Sequence, residues 1–300
     1  MWHYFRICFP MSPTVFFILG QTATGKTALA ASLAREKRGE LVNCDSRQIY
    51  QKLDIITGKA DNPADLPMHL VNVVDPKEMY SALAYAQAGI QSIDGIISRN
   101  KIPVVVGGTG MYARMLLYAD LEKADLSIAS SLDLSETNKL SKEELKKQLQ
   151  QVDAAAFEQL SPSDQENPRR LIRAIHKLQA NSPEILDAQS PRCIANRFHT
   201  QIVVLLHENG AVLGSRIQSR VEERIKSGAI EECQELLKAG YSPTDPGLAT
   251  IGYQSVFRYL AGVIDLSAMK SEWATRERQY AKRQKTYLLK YFPAAEVRKV

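Results

Sequence analysis

Val15-Phe16-Phe17-Ile18-Leu19-Gly20-Gln21-Thr22-Ala23-Thr24-Gly25-Lys26-Thr27 decides the fold. An apolar run leads straight into the pattern G-x-x-x-x-G-K-[ST], and Ala28-Leu29-Ala30-Ala31-Ser32-Leu33-Ala34 continues as a helix-forming stretch. Strand, glycine loop and helix in that order make a phosphate cradle. The glycines let successive N–H groups turn inward, the helix start adds partial positive charge, Lys26 adds a full one, and the Thr27 hydroxyl suits Mg²⁺. The competing reading is a plain glycine turn with a surface lysine, and the flanking strand and helix weigh against it. The loop names neither the phosphates it holds nor their fate.

The chain has 300 residues, 45% hydrophobic and 24% charged, which suits one large globular domain or a core with an appendage and argues against disorder. A net charge of +5 is mild, so the placement of charge matters more than its sum. Cys8, Cys44, Cys193 and Cys233 are scattered, with no C-x-x-C pair and no histidine at ligand spacing. Neither a disulfide framework nor a zinc site is indicated, and a reducing cytoplasm is the simplest setting. Met1–Pro10 is apolar and aromatic, but Arg6 and Pro10 interrupt it. It reads as a tail or an upstream start, not as a signal peptide or membrane span.

Val15–Leu19, Glu40–Cys44, His69–Val74, Pro103–Val106 and Gln201–Leu206 read as buried strands separated by helix-length segments. That alternation predicts an α/β fold with a parallel sheet covered by helices on both faces, whose ligands collect at the carboxyl ends of the strands. Informative residues do follow the strands: the glycine loop after the first, Asp45-Ser46-Arg47-Gln48 after the second, Gly107-Gly108-Thr109-Gly110 after the fourth. Between Tyr118 and Ser161 the chain turns Ser-rich, with a charged helix candidate at Lys142–Gln151 and no strand-like run. The expected division is a core of residues 12–117 and 162–300, ending in nucleic-acid-binding helices, with a short helical insertion at 118–161.

Asp45 stands just past a strand end beside the glycine loop, where a carboxylate suits a general base or a Mg²⁺ partner; with Gln48 three residues on, it equally fits a helix capping box. Thr109 offers a hydroxyl within a glycine-rich turn. Arg216, Arg220 and Arg224 share one helix face, and nearby Glu222, Glu223, Glu231 and Glu232 suggest that most of that surface is solvated, with one arginine functional. From Lys270 onward the chain carries an excess of six positive charges, and Trp273, Tyr280 and Tyr287 recur every seven residues along it. The aromatics fit either a core stripe or a binding face, whereas the basic residues fit phosphate-backbone contact. His3, His69, His176, His199 and His207 have no nucleophile partner and read as structural.

Together, Gly20–Thr27, Asp45-Ser46-Arg47-Gln48-Ile49-Tyr50, Asp54–Ala60, Val106–Tyr112, Pro168–Ala174, Ile251-Gly252-Tyr253 and Lys282-Arg283-Gln284 resemble the tRNA dimethylallyltransferase family, bacterial type, collinearly from about residue 14 to 292. The resemblance implies a P-loop NTPase-like sheet and transfer of a dimethylallyl group from its diphosphate to N6 of the adenosine beside the anticodon. It implies a diphosphate site at Gly20, Thr22, Ala23, Thr24, Gly25, Lys26 and Thr27, with Mg²⁺ on Thr27. Asp45 is implied as the base taking the N6 proton, Thr109 as the hydroxyl orienting donor and acceptor, and Arg220 as the arginine on the diphosphate. Contacts to tRNA are implied for Asp45, Ser46, Arg47, Gln48, Thr109, Arg169, Arg170, Arg173, Gly252, Tyr253, Lys282, Arg283 and Gln284. The implied partners are the tRNA anticodon stem-loop and dimethylallyl diphosphate, with no membrane and a monomeric, cytoplasmic chain.

The chain departs from the family pattern in places. Gln21 replaces a common proline at a position expected to supply only backbone. The insertion is short and lacks arginine, and Tyr287 and Leu289 stand where a tryptophan and an arginine are often seen. Alternatives are a phosphate-transferring kinase or NTPase, an adenylate isopentenyltransferase on free nucleotide, and a nucleotide-gated RNA-binding module. The basic tail with Arg169 and Arg170 favours a polynucleotide over a free nucleotide, and Asp45 and Thr109 have little use in a module without chemistry.

Overall fold

Strand β1 (Thr14–Gly20) is buried over most of its length on both faces, so its sequence is a continuous apolar run and not an alternation. It leads through the glycine loop into α1 (Lys26–Lys37), then β2 (Gly39–Asn43), β3 (Met68–His69), α2 (Ala82–Ser98), β4 (Ile102–Gly107) and α3 (Gly110–Tyr118). Further on come α4 (Lys142–Val152), α5 (Ala154–Glu158), α6 (Pro162–Gln165), α7 (Pro168–Gln179), α8 (Ile194–Arg197) and β5 (His199–Leu206). The chain closes with α9 (Gly210–Lys226), α10 (Ala229–Lys238), α11 (Tyr253–Leu260), α12 (Leu266–Tyr291) and β6 (Glu296–Lys299). This computed structural model describes residues 12–59, 62–123, 140–179 and 185–300, with the backbone alone at 163, 169, 173, 176, 177 and 179. Met1–Pro10, read above as a tail, and His3 within it lie outside the described residues, as does much of the Ser-rich stretch after Tyr118.

The six strands order as β3-β2-β4-β1-β5-β6, and every pairing is parallel. The α/β class with a parallel sheet is as expected. Because β1 sits between β4 and β5 while β2 lies beyond β4, the chain leaving β1 crosses over a neighbour. That switch opens a crevice at the carboxyl end of β1, where the glycine loop stands. The small residues Ala30 and Ala34 let α1 lie close on the sheet, packed with Ile18, Leu41, Val104, Val106, Val203 and Leu205.

Two expectations about strands change. His69–Val74 forms a strand only at Met68–His69, because Leu70 and Asn72 adopt left-handed φ values of 63° and 59° that break the ladder. Val74 keeps one isolated bridge to Tyr50. The sheet also gains β6, an exposed edge strand parallel to β5, hidden in the sequence because Glu-Val-Arg-Lys reads as basic tail.

The described chain divides into two compact units, one reaching Ala119 and resuming at Ala188, the other spanning Asp120–Asp187. The second is helical, and the charged helix expected at Lys142–Gln151 is α4, started by a Ser141/Glu144 capping box. Its boundary runs past Ser161, and α7, grouped above with the core, belongs to it because Leu171 and Ile175 pack on Leu145 and Leu149. Among the described residues no helix is long and apolar enough to cross a membrane.

Gly107 marks how closely the strand ends approach. A Cβ there would lie 2.1 Å from the Cys44 carbonyl oxygen, a backbone atom that cannot swing aside. Gly107→Ala is therefore expected to destabilise the protein by about 1–3 kcal/mol through overpacking, lowering the thermal midpoint by roughly 5 °C in a calorimetric scan. An unchanged midpoint would mean that the β2 and β4 ends are less tightly apposed than this.

Candidate active site

The glycine loop closes on itself before it meets any ligand. Gly25 takes a left-handed φ of 79° and opens α1, whose first-turn N–H groups have no intrahelical partners. The Gln21 carbonyl accepts from the Thr24 hydroxyl at 2.8 Å and from Lys26 Nζ at 2.5 Å. Burial pushes the Lys26 ammonium down to about 8; nearby Asp45 opposes the shift and Arg220 adds to it. A cation held in this way is poised for an incoming anion.

The loop is also braced from behind by two buried amides. Gln21 Nε2 donates to the Ala281 carbonyl at 3.0 Å and its Oε1 accepts from His207 N–H at 2.9 Å. Gln284 Oε1 accepts from Thr22 N–H at 2.9 Å, while its Nε2 donates to the Gly108 carbonyl at 3.0 Å. Gln21 therefore works through its side chain, contrary to the expectation that only its backbone mattered. His207 is buried with Nε2 2.9 Å from the Ala23 carbonyl, which selects the Nε2–H tautomer and makes it a prop for the loop, consistent with a structural reading.

Asp45 and Thr109 come together from two strand ends. Residues 46–49 form turns, so the capping-box reading gives way to an Asx turn in which Asp45 Oδ1 accepts from Arg47 N–H at 3.0 Å. Asn43, which the sequence reading passed over, fixes this corner: its Oδ1 accepts from Asp45 N–H at 2.9 Å, and its Nδ2 donates to the carbonyls of Asp45 and Leu70. Thr109 Oγ1 accepts from Ser46 N–H at 3.0 Å and donates to Ser46 Oγ at 3.2 Å, and Thr109 N–H reaches the Cys44 carbonyl. Lys26, Thr27, Asp45, Arg220, Arg224 and Tyr280 line one cavity.

All three arginines of α9 face the loop. Arg216 Nη1 reaches the Ala23 carbonyl and Arg220 Nη1 the Thr22 hydroxyl, each at 3.4 Å, while Arg224 lines the cavity with Arg220. The face expected to be mostly solvated thus sets three arginines beside the loop and its cavity. Glu232, counted among the solvating acids, is in fact buried.

The residues implied for RNA contact separate into groups. Lys282 and Arg283 are exposed on α12, and Arg47 stacks over the half-buried Tyr280 ring at 4.5 Å with Arg283 on it at 5.8 Å. Gln48 lines the cavity and donates to the carbonyls of Thr57 and Gly58 at 3.2 and 3.3 Å. Gln284 serves the brace, and Tyr253 is fully buried. Gly252 has φ 96°, and a Cβ there would stand 2.5 Å from Ile56 Cγ2, so it supports the cavity wall from behind. Arg170 is exposed on α7 of the second unit, 3.6 Å from Asp164; the side chains of Arg169 and Arg173 lie outside the described residues. Of the aromatic stripe, Trp273 is core while Tyr280 and Tyr287 lie at its edge.

Comparison with known proteins is consistent with this geometry. The IPP transferase family profile matches residues 48–291, and an Isopentenyl transferase profile matches 13–67. The tRNA dimethylallyltransferase 2 of Geotalea uraniireducens is 37% identical over 283 residues, 93% of this chain and 90% of that one. The crystal structure of tRNA delta(2)-isopentenylpyrophosphate transferase from Staphylococcus epidermidis matches with TM-score 0.63 and 26% identity, over 96% of this chain and 92% of its own. Full-length tRNA isopentenylpyrophosphate transferase from Bacillus halodurans matches with TM-score 0.65 and 26% identity, over 96% and 90%.

The depressed value at Lys26 gives a pH prediction. Above about pH 8 the ligand-free protein holds this lysine neutral, so binding inorganic diphosphate draws a proton onto it, and affinity falls as pH rises further. Calorimetric titration at pH 9 in buffers of different ionisation enthalpy is expected to show proton uptake that Lys26→Met abolishes. For folding the sign reverses: the buried charge costs stability below about pH 8, and the cost fades toward the ordinary value of 10.5.

Proposed function

The chain belongs to the IPP transferase family, and from that premise we propose that it transfers the dimethylallyl group of dimethylallyl diphosphate to N6 of the adenosine beside the tRNA anticodon. The observation that carries this reading is the shared cavity, in which a carboxylate, Asp45, faces a phosphate cradle reinforced by arginines. Such a site suits displacement of a diphosphate better than hydrolysis of ATP.

The new C–N bond forms as the allylic C–O bond breaks. Negative charge builds on the departing diphosphate, where Lys26, Arg220 and the loop amides meet it, while N6 becomes acidic and gives its proton to Asp45. Thr109, tied to Ser46, supports the acceptor nucleotide beside Asp45. The Thr27 hydroxyl and the phosphate oxygens of the ligand are hard donors that suit Mg²⁺, which binds with few protein ligands. When bound, Mg²⁺ would help neutralise the departing diphosphate.

A base buried in a stacked anticodon loop cannot reach Asp45 unless it leaves the stack, so the RNA is gripped around an extruded nucleotide. Arg47 and Tyr280 at the cavity and exposed Lys282 and Arg283 beside them supply that grip, with Ser46 and Gln48 at the rim. The family resemblance adds Arg169, Arg170 and Arg173 as candidate phosphate contacts. Lys26, Asp45, Arg220 and Tyr280 line one cavity of a single chain, which suits action as a monomer, and a tRNA substrate suits the cytoplasm.

Incubating the protein with dimethylallyl diphosphate, Mg²⁺ and unmodified tRNA should yield N6-dimethylallyladenosine, read by nucleoside mass spectrometry. No product on competent tRNA, or product on free AMP alone, overturns the proposal. Asp45→Ala is expected to lower kcat by about 10²–10⁴ with tRNA affinity nearly unchanged. Replacing Lys282 and Arg283 together by alanine should weaken tRNA binding and reduce its salt slope by nearly two, measured by filter binding across a salt series.

A further inference from the structure

Glu232 takes no part in the chemistry just described, yet it is only 9% exposed and lies on α10. Its Oε2 accepts from the backbone N–H of Asp54 at 2.8 Å and of Ile55 at 2.7 Å. Its Oε1 accepts from Ile56 N–H at 3.2 Å and from the Tyr253 hydroxyl at 2.5 Å. A carboxylate has about four acceptor sites, so this one is saturated. Three consecutive amides turned toward one anion form a nest, and here the anion is the protein's own side chain.

The nested backbone runs directly into the site. Ile56, Thr57 and Gly58 line the cavity, and the Thr57 and Gly58 carbonyls hold Gln48 Nε2. At the far end Lys59, 8% exposed, donates to the Tyr50 carbonyl, to Asn72 Oδ1 and to Asp54 Oδ1, the last at 2.8 Å. Gly252 leaves room for Ile56 and Trp273, both of which a Cβ there would strike. A buried anion thus pins one end of this loop and a buried cation the other. The diphosphate grip of Lys26 and Arg220 comes from other elements.

We infer that Glu232 is a positioning residue for the RNA half of the site, setting the Ile56–Gly58 wall and, through it, Gln48 against the extruded nucleotide. The inference rests on the proposed tRNA prenylation. Glu232→Gln preserves shape but offers one acceptor oxygen, so its NH₂ group must confront a backbone amide. The expected result is a KM for tRNA raised roughly tenfold, with KM for dimethylallyl diphosphate and kcat within about threefold. In a Gln48→Ala background the same change should add little.

Amide exchange on the wild-type protein gives a second, activity-independent readout, with slow exchange expected at Asp54, Ile55 and Ile56. Fast exchange there overturns the nest even if Glu232→Gln cannot be folded. Wild-type constants in Glu232→Gln, or equal rises in both KM values, overturn the positioning role. A wild-type protein that prenylates no tRNA refutes the proposed function instead, and the exchange measurement still separates that failure from this one.

Discussion

Two buried glutamines hold the phosphate loop to the last long helix, and the rest of the site depends on them. Gln21 reaches from the loop to the Ala281 carbonyl, and Gln284 reaches back to Thr22 N–H and the Gly108 carbonyl. A buried amide stripped of its partner costs about 1–3 kcal/mol, so the two faces are locked in one register. Residues Met269, Trp273, Ala274, Glu277, Ala281, Gln284 and Leu288 recur at helical spacing along the buried side of α12. The register that buries this stripe necessarily turns Lys282 and Arg283 outward. One helix therefore braces the glycine loop and carries an exposed basic face, the face proposed above to meet RNA.

The parallel sheet explains why the two halves meet. The loop after β1 handles anionic charge, while the segments after β2 and β4 bring Asp45 and Thr109, and hydrogen bonds from Thr109 to Ser46 and Cys44 join those two segments. Glycine at position 107 permits their approach, because any side chain would strike the Cys44 backbone. Cations gather on the side of the glycine loop, where burial lowers the Lys26 value, Asp45 opposes the shift and Arg220 adds to it. In the proposed reaction an incoming diphosphate supplies the counter-charge that the buried ammonium lacks, and so raises the Lys26 value again.

What the sequence makes legible is what repeats locally. The glycine loop, the strands as apolar runs, and Asp45 and Thr109 at strand ends follow from adjacency alone. What it hides is set by partners distant along the chain. Gln21 looked like a backbone position because its partners lie at His207 and Ala281. Glu232 looked solvated beside Glu231, although Ala229, Cys233 and Leu236 at i−3, i+1 and i+4 place it on the buried side of α10. The strand expected at His69–Val74 failed for a third reason: left-handed backbone at Leu70 and Asn72 carries no strong side-chain signal. Tyr280 was visible in the heptad stripe, but its stacking with Arg47 and Arg283 depends on how α12 docks.

The same geometry bears on the proposed role of Asp45 as a base. The exocyclic nitrogen of adenine is a poor nucleophile and a very weak acid, so no carboxylate could remove its proton before the bond to carbon begins to form. As that bond forms, the nitrogen gains positive charge and its proton becomes transferable to any well-placed carboxylate. Placement, not basicity, is then the requirement. Asn43 fixes the backbone of Asp45 on both sides, and Arg47 N–H holds one carboxylate oxygen in an Asx turn. A side chain held at its root and at one oxygen points the remaining oxygen in a defined direction. The corner that reads in sequence as a possible helix cap thus holds a carboxylate in one orientation, as the proposed proton transfer requires.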